Sequence, residues 1–354
     1  MSLFVIHPLA DDARDDARLN SVLQDALYGA ERREFTDMTA LPDLRGQRLL
    51  FAVALGEYGV NAAYAHLLRL LRMEPSMLEG CTAALIVDGA SELYTKSFAA
   101  ELGLAANLAG SALIGRPLVE ATGSLNNFRV QAKLLGTDLM GAYCAAAREL
   151  VERLSAARPP KKGKPELLAL HASSYHTSNT MQLWGAVKER LGESCAITEI
   201  GLRNGAVSDC SGCPYTACLH FGEKGRCFYG GLIQDEVWPA VRRCDAAVLL
   251  CPNYNDALSA NLTAFINRLT GLFRQTRFYD KALFAIIVSG YSGGDIVARQ
   301  VISAMNMNKS FHLPPRFAMI ETANDPGEAL ALNGIEERLD AFAARLRQYI
   351  SDIE

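Results

Sequence analysis

No stretch of this 354-residue sequence is apolar for long enough to cross a bilayer; the strongest apolar runs, such as Ala282 to Val288, have the length of a strand. Concentrated positive charge is also missing. No run of Lys or Arg exceeds two residues, as at Lys161 and Lys162, and the net charge is −4, which argues against a nucleic acid or an anionic membrane as partner. The N-terminus, MSLFVIHPLADDARDD, turns acidic where a secretory signal needs a longer apolar core and a cleavage site, so a cytoplasmic location is expected. Nine cysteines are an odd number in a long chain without such a signal, which argues against a disulfide framework. Five of them, Cys81, Cys144, Cys195, Cys244 and Cys251, lie singly in or beside apolar segments and read as small buried hydrophobes. The six histidines form no ligand triplet at recognisable spacing.

Half of the residues are hydrophobic, and the length favours two domains. Residues 155–166, SAARPPKKGKPE, combine two adjacent prolines, a glycine and four basic side chains, and read as a linker between a unit at 1–154 and one at 167–354. Beyond the linker, strands expected at 167–172, 195–201, 246–251, 282–289 and 316–321 alternate with helices. The helix expected at 257–274 sets Leu258, Leu262, Phe265, Ile266, Leu269 and Phe273 on one face, as a helix lying on a sheet requires. Strands such as LFAIIV are apolar throughout, as strands covered on both faces should be. The expected fold class is therefore α/β, a doubly wound parallel five-stranded sheet. The same rhythm precedes the linker. ALIVDGAS at 84–91 matches AIIVSGYS at 285–292 at five of eight positions, and LGEYG at 55–59 takes the place of CPNYN at 251–255, which points to an internal duplication.

In the second unit the first strand ends in HASSYHTSNT, residues 171–180. A strand, a turn rich in hydroxyl and amide groups, and a helix start together make an anion seat, because backbone N–H groups and the helix dipole converge there. Ser173, Ser174, Tyr175, His176, Thr177, Ser178, Asn179 and Thr180 are the candidates; the competing reading is ordinary helix capping by Thr177 or Ser178. The corresponding turn of the first unit carries Asp11, Asp12, Asp15 and Asp16, which would repel a phosphate, so only one unit is expected to keep a cofactor site. With strand order 2-1-3-4-5, ligands bind beyond the carboxyl ends of strands one and three. There the second unit offers Pro252, Asn253, Tyr254, Asn255 and Asp256, and after strand four Ser289, Gly290, Tyr291, Ser292 and Gly293. Phosphate donors on one loop, with aromatic and amide groups on two others, suit a planar ring tethered to a phosphate, as in FMN.

These motifs in this order resemble the flavodoxin-like family of NAD(P)H-dependent FMN reductases and their iron–sulfur flavoprotein relatives. The resemblance covers residues 165–354 and rests on the Ser-rich loop ending in Asn179 and Thr180, on Pro252 and Tyr254, and on INR at 266–268. Tyr175 and His176 stand where the family commonly has a basic pair. Residues 1–154 resemble a degenerate copy. The family often carries a cysteine-rich insertion after the second strand, and here residues 208–230 hold Cys210, Cys213, Cys218 and Cys227.

The spacing of those four, Cys-x2-Cys-x4-Cys-x8-Cys, admits a tetrahedral zinc site or a [4Fe–4S] cluster, with iron–sulfur preferred because a nearby flavin gives electrons a destination. Reduced structural thiols, or Cys210 and Cys213 as a redox dithiol, are the alternatives. The resemblance implies an FMN-dependent enzyme taking electrons from NAD(P)H to a quinone, a flavin or another small acceptor, with no acid or base residue nominated. A carrier exchanging single electrons with a ferredoxin-like partner is the second hypothesis and a non-catalytic module the third. Family members commonly pair as dimers, so a tandem copy could make an internal pseudo-dimer, the alternative being a homodimer.

Overall fold

In a computed structural model, which describes residues 3–158, 165–173 and 178–350, every strand of both units is paired in parallel. The first unit runs β1 (Leu3–Ile6), α1 (Ala13–Ala26), β2 (Arg32–Phe35), β3 (Arg48–Leu55), α2 (Ala62–Met73), β4 (Thr82–Gly89), α3 (Thr95–Leu108), β5 (Ala112–Ala121), α4 (Arg129–Leu135) and α5 (Leu139–Ala156). The second runs β6 (Glu166–His171), α6 (Asn179–Leu191), β7 (Ala196–Gly201), α7 (Tyr215–Glu223), α8 (Trp238–Arg243), β8 (Ala246–Pro252), α9 (Ala260–Phe273), β9 (Ala282–Ser289), α10 (Gly294–Val301), β10 (Ala318–Thr322) and α11 (Ile335–Ile350). The sheets read β2-β1-β3-β4-β5 and β10-β9-β8-β6-β7, so each has the order 2-1-3-4-5, the flavodoxin-like topology. The two units divide at Arg158 and Pro159.

Helices on both faces explain the strand compositions: all eight residues of β9 are buried, and β8 is buried up to Pro252. In α9 the hydroxyl of Ser259 caps the start by accepting from the Leu262 amide, and Leu262, Phe265, Leu269 and Leu272 are buried. Ile266 and Phe273, expected on that face, lie at its margin and are half-buried. Trp184 of α6 is fully buried and donates from Nε1 to Glu199 Oε2 at 2.9 Å, which satisfies the indole without breaking the core.

The cysteine-rich insertion, for which no element was expected, contains a helix, α7. Its seven residues from Tyr215 to Phe221 contain no glycine or proline, while Pro214 stands at its start. Among the described residues no helix is long and apolar enough to cross a membrane.

Candidate functional site

A cleft of about 290 Å³ opens at the carboxyl ends of β6 and β8, lined by Ser173, Asn204, Tyr254, Ser259 and Asn261 with two alanines. This is the switch point where a doubly wound sheet binds its ligand. Residues 174–177, and with them the expected contributions of Ser174, Tyr175, His176 and Thr177, lie outside the described residues. At the start of α6, Ser178 holds the N-cap position with extended backbone, but its hydroxyl makes no capping bond and instead stands 3.5 Å from Thr180 Oγ1. Among the described residues no side chain caps the first amides of the helix; Thr177, the other capping candidate, lies outside them. His171 closes the strand end: its Nδ1 is 3.1 Å from the Ser173 carbonyl, and burial lowers its pKa against the opposing pull of Glu199, 3.8 Å away.

The side chain of Asn179, expected to add donors at the cofactor, has both of its polar atoms taken by a distant loop. Nδ2 donates to Asp325 O at 2.9 Å and Ala323 O at 3.4 Å, while Oδ1 accepts from the amides of Gly327 and Ala329. An amide so engaged fixes the segment after β10 and has no capacity left for a ligand.

The loops after β8 and β9 are tied together by Asn253. Its Nδ2 lies 3.1 Å from Ser289 Oγ, 3.0 Å from Ser292 O and 3.3 Å from Asp256 Oδ1. Its Oδ1 is buried without a partner, an acceptor left open in an otherwise satisfied junction. Residues 254–257 form a tight turn in which Tyr254 and Ala257 exchange both backbone bonds at 3.2 Å, with Asn255 at φ 53° and Asp256 at φ 58°. That turn lifts Tyr254, 59% exposed, beside the cleft, and Tyr291 on the next loop is 82% exposed, so neither ring is spent on packing. Gly290 passes close to Asn324, and Gly293, at φ 84°, packs against Asp256 so closely that a Cβ there would stand 2.0 Å from Oδ1.

Three contributors escaped the sequence reading. Asn204 follows β7 in an Asn-Gly turn and accepts from Asn261 Nδ2 at 2.9 Å, which also donates to Leu202 O at 2.7 Å; Ser259 is the α9 cap. The Asn-Gly dipeptide after a strand was the available signal for the first.

Residues 165–325 match the family model described as NADPH-dependent FMN reductase. The second unit is an FMN-reductase family domain. That family comprises enzymes, oxidoreductases that use FMN with NAD(P)H, and here the FMN-reductase domain follows a second flavodoxin-like sheet in the same chain. A comparison with curated proteins returns no match. Similar solved structures include an NADH:FMN oxidoreductase in its apo form, at 15% identity over 54% of this chain and 92% of the other, TM-score 0.37. An FMN-dependent NADH-azoreductase from Bacillus anthracis follows at 12% over 52% and 99%, TM-score 0.37. An NAD(P)H:quinone oxidoreductase from Methanothermobacter marburgensis is similar at 14% over 52% and 98%, TM-score 0.39. At these values the likenesses carry no argument about function.

The four clustered cysteines all line one cavity of about 450 Å³, between the inserted segment and α9. Among the described residues no carboxylate is in its lining, which includes Arg226 and Arg268; Asp209 Oδ1 lies behind it, accepting from the Cys210 amide and Asn267 Nδ2. Arg268 is 4% exposed, and its guanidinium meets only neutral oxygens, Ser208 O and Oγ and Gly230 O at 2.6 Å, with Nε unpartnered. Arg274 Nη2 approaches Cys218 Sγ at 3.9 Å, and Lys309 donates to Thr270 Oγ1 of the lining at 3.0 Å. The remaining cysteines behave as expected of packed thiols: Cys81, Cys195, Cys244 and Cys251 are buried, and burial raises Cys81 to about 11 and Cys244 to about 12. Cys144 is half-buried. Among the described residues no three His, Cys, Asp or Glu side chains are arranged to hold a metal ion.

Proposed function

We propose that the second unit binds FMN in the cleft beyond β6 and β8 and passes electrons from NAD(P)H to a small acceptor, a quinone or flavin among the candidates. The observation that carries this is a polar cleft at the switch point of the sheet, lined by Ser173 and the exposed Tyr254 and lying beyond the strand that leads to α6. The start of α6 supplies amide donors for a phosphate, with Ser173, Ser178 and Thr180 beside them. Asn253 holds the loops after β8 and β9 in register. When bound, FMN supplies the hydride and electron chemistry, so the protein's work is orientation and access rather than acid–base catalysis. Tyr254, and Tyr291 on the next loop, would be the exposed rings available to a bound flavin. Anaerobic mixing tests the reading: FMN-loaded protein should bleach rapidly with NADH or NADPH, and failure to bleach with either would refute it.

A second reading is favoured by the cysteine cavity. Four thiols, two lining arginines and no lining carboxylate make a pocket suited to an anion, and a polynuclear iron–sulfur centre bound by Cys210, Cys213, Cys218 and Cys227 is one. Zinc fits less well, since Zn–S bonds of about 2.3 Å hold four thiolates within about 4 Å of one another, and no such mononuclear set is found among the described residues. Such a centre would let the domain exchange single electrons with a ferredoxin-like partner. Arg268 stands seven residues from Asn261 on α9, about 10 Å along the helix from the cleft. Iron and acid-labile sulfide near four each per chain in anaerobically purified protein would support it, and their loss in Arg268→Met would tie them to this cavity. Protein free of iron and sulfide under those conditions would eliminate it.

A further inference from the structure

We infer that Asp16 is a built-in substitute for a ligand phosphate, and that the first unit's switch-point crevice is closed by side chains of its own first helix. The corner after β1 is where a flavodoxin-like sheet offers backbone donors to an anion. In the first unit the Ala10 amide there donates to Asp16 Oδ2 at 2.8 Å, and His7 Nε2 stands 3.2 Å from Asp16 Oδ1. The other ring nitrogen of His7 is 3.0 Å from Glu34 Oε1. Asp16 is 3% exposed and His7 1%. A carboxylate this deep is costly unless its oxygens are satisfied, and the groups that satisfy it, a loop amide and an imidazole, are those a phosphate oxygen would use.

Two neighbours on α1 complete the closure. The Asp15 carboxylate lies over Gly56 at the end of β3, where an added Cβ would stand 2.8 Å from Oδ2. Arg18 reaches across to β4 and β5: it grips Asp88 through Nε and Nη2 and donates to the carbonyls of Gly89, Thr122 and Gly123 at 2.9 to 3.1 Å. Positions 15, 16 and 18 thus cover the carboxyl ends of β1, β3, β4 and β5. The second unit has no acidic residue in the first turn of α6, and Gln182 and Trp184 occupy the places of Asp16 and Arg18 counted from each helix start. The crevice of the first unit is therefore occupied from within, and the chain has one flavin corner rather than two.

Hydrogen–deuterium exchange at the Ala10 amide reads this directly in the full-length protein. In Asp16→Ala the amide should exchange about tenfold faster than in wild type, and millimolar inorganic phosphate should restore its protection where chloride at equal ionic strength does not. Wild type and Asp16→Asn, whose seats stay filled, should not respond to phosphate; their comparison also cancels any anion taken up by the second unit. Exchange unchanged by Asp16→Ala, or a phosphate response no greater than with chloride, would overturn the inference. If Asp16→Ala folds poorly, refolding yield replaces exchange: a gain specific to phosphate supports the inference and equal yields in both salts refute it.

Discussion

Replacing Gly293 by alanine strikes the junction between the loops after β8 and β9 with one methyl group. The backbone there has φ 84° and ψ 6°, a left-handed conformation that costs a residue with a Cβ about 1 kcal/mol. The new Cβ would also lie 2.0 Å from Asp256 Oδ1 and 2.9 Å from Asn253 Nδ2, so the carboxylate must retreat by more than an ångström and abandon its contact with Asn253. Loss of that hydrogen bond adds about 1 kcal/mol, for a total near 2 kcal/mol. Both tryptophans, Trp184 and Trp238, are fully buried in the second unit, so urea unfolding followed by tryptophan fluorescence reads this unit alone. FMN affinity, followed by flavin fluorescence, should fall by about tenfold as Asn253 is displaced. Adding Asp256→Gly removes the clashing carboxylate and relieves the φ of 58° at that position, so the double variant should regain about 1 kcal/mol, roughly half of the loss. A Gly293→Ala protein as stable as wild type and equally able to bind FMN would refute the account of this junction, as would a double variant no better than the single one.

Three further outcomes are expected. Burial lowers His312 from 6.5 to about 4, so the folded state keeps it neutral; stability is full above pH 6.5 and declines by about 3 kcal/mol as pH falls from 6.5 to about 4. His171, shifted the same way, adds to that limb, and urea midpoints across this range should flatten measurably in His312→Asn. Asn179→Ala removes the acceptor of the Gly327 and Ala329 amides and the donor to Asp325, so it should cost about 2 kcal/mol and speed amide exchange at 327 and 329; unchanged protection there would remove its role as a clamp. Iodoacetamide on native protein without bound metal should modify Cys210, 213, 218 and 227 well before Cys81, Cys244 and Cys251, whose thiols are buried with raised pKa; mass spectrometry showing uniform labelling would contradict that division.

The parallel order of both sheets was legible because strands covered on two faces must be apolar throughout, as LLFAVAL and LFAIIV are, and because the helices between them carry one apolar face. Such patterns are local and survive without knowledge of neighbours. What stayed hidden depends on partners far away in sequence. Asn179 sits in a motif that reads as ligand-binding, but its partners are some 145 residues downstream, and nothing in HTSNT signals them. The burial of Arg268 is similarly invisible, since it follows from the cysteine segment folding back over α9 rather than from α9 itself. In the first unit the acidic turn was legible as a sequence, but the burial of Asp16 between His7 and the Ala10 amide was not.

Titration of cofactor-stripped protein with FMN, followed by quenching of flavin fluorescence, tests the placement of the cofactor most directly. Saturation at one FMN per chain, abolished when the loops after β8 and β9 are both disrupted, is the predicted result. A protein that leaves FMN fluorescence untouched at every concentration, or that saturates at two per chain, would contradict it.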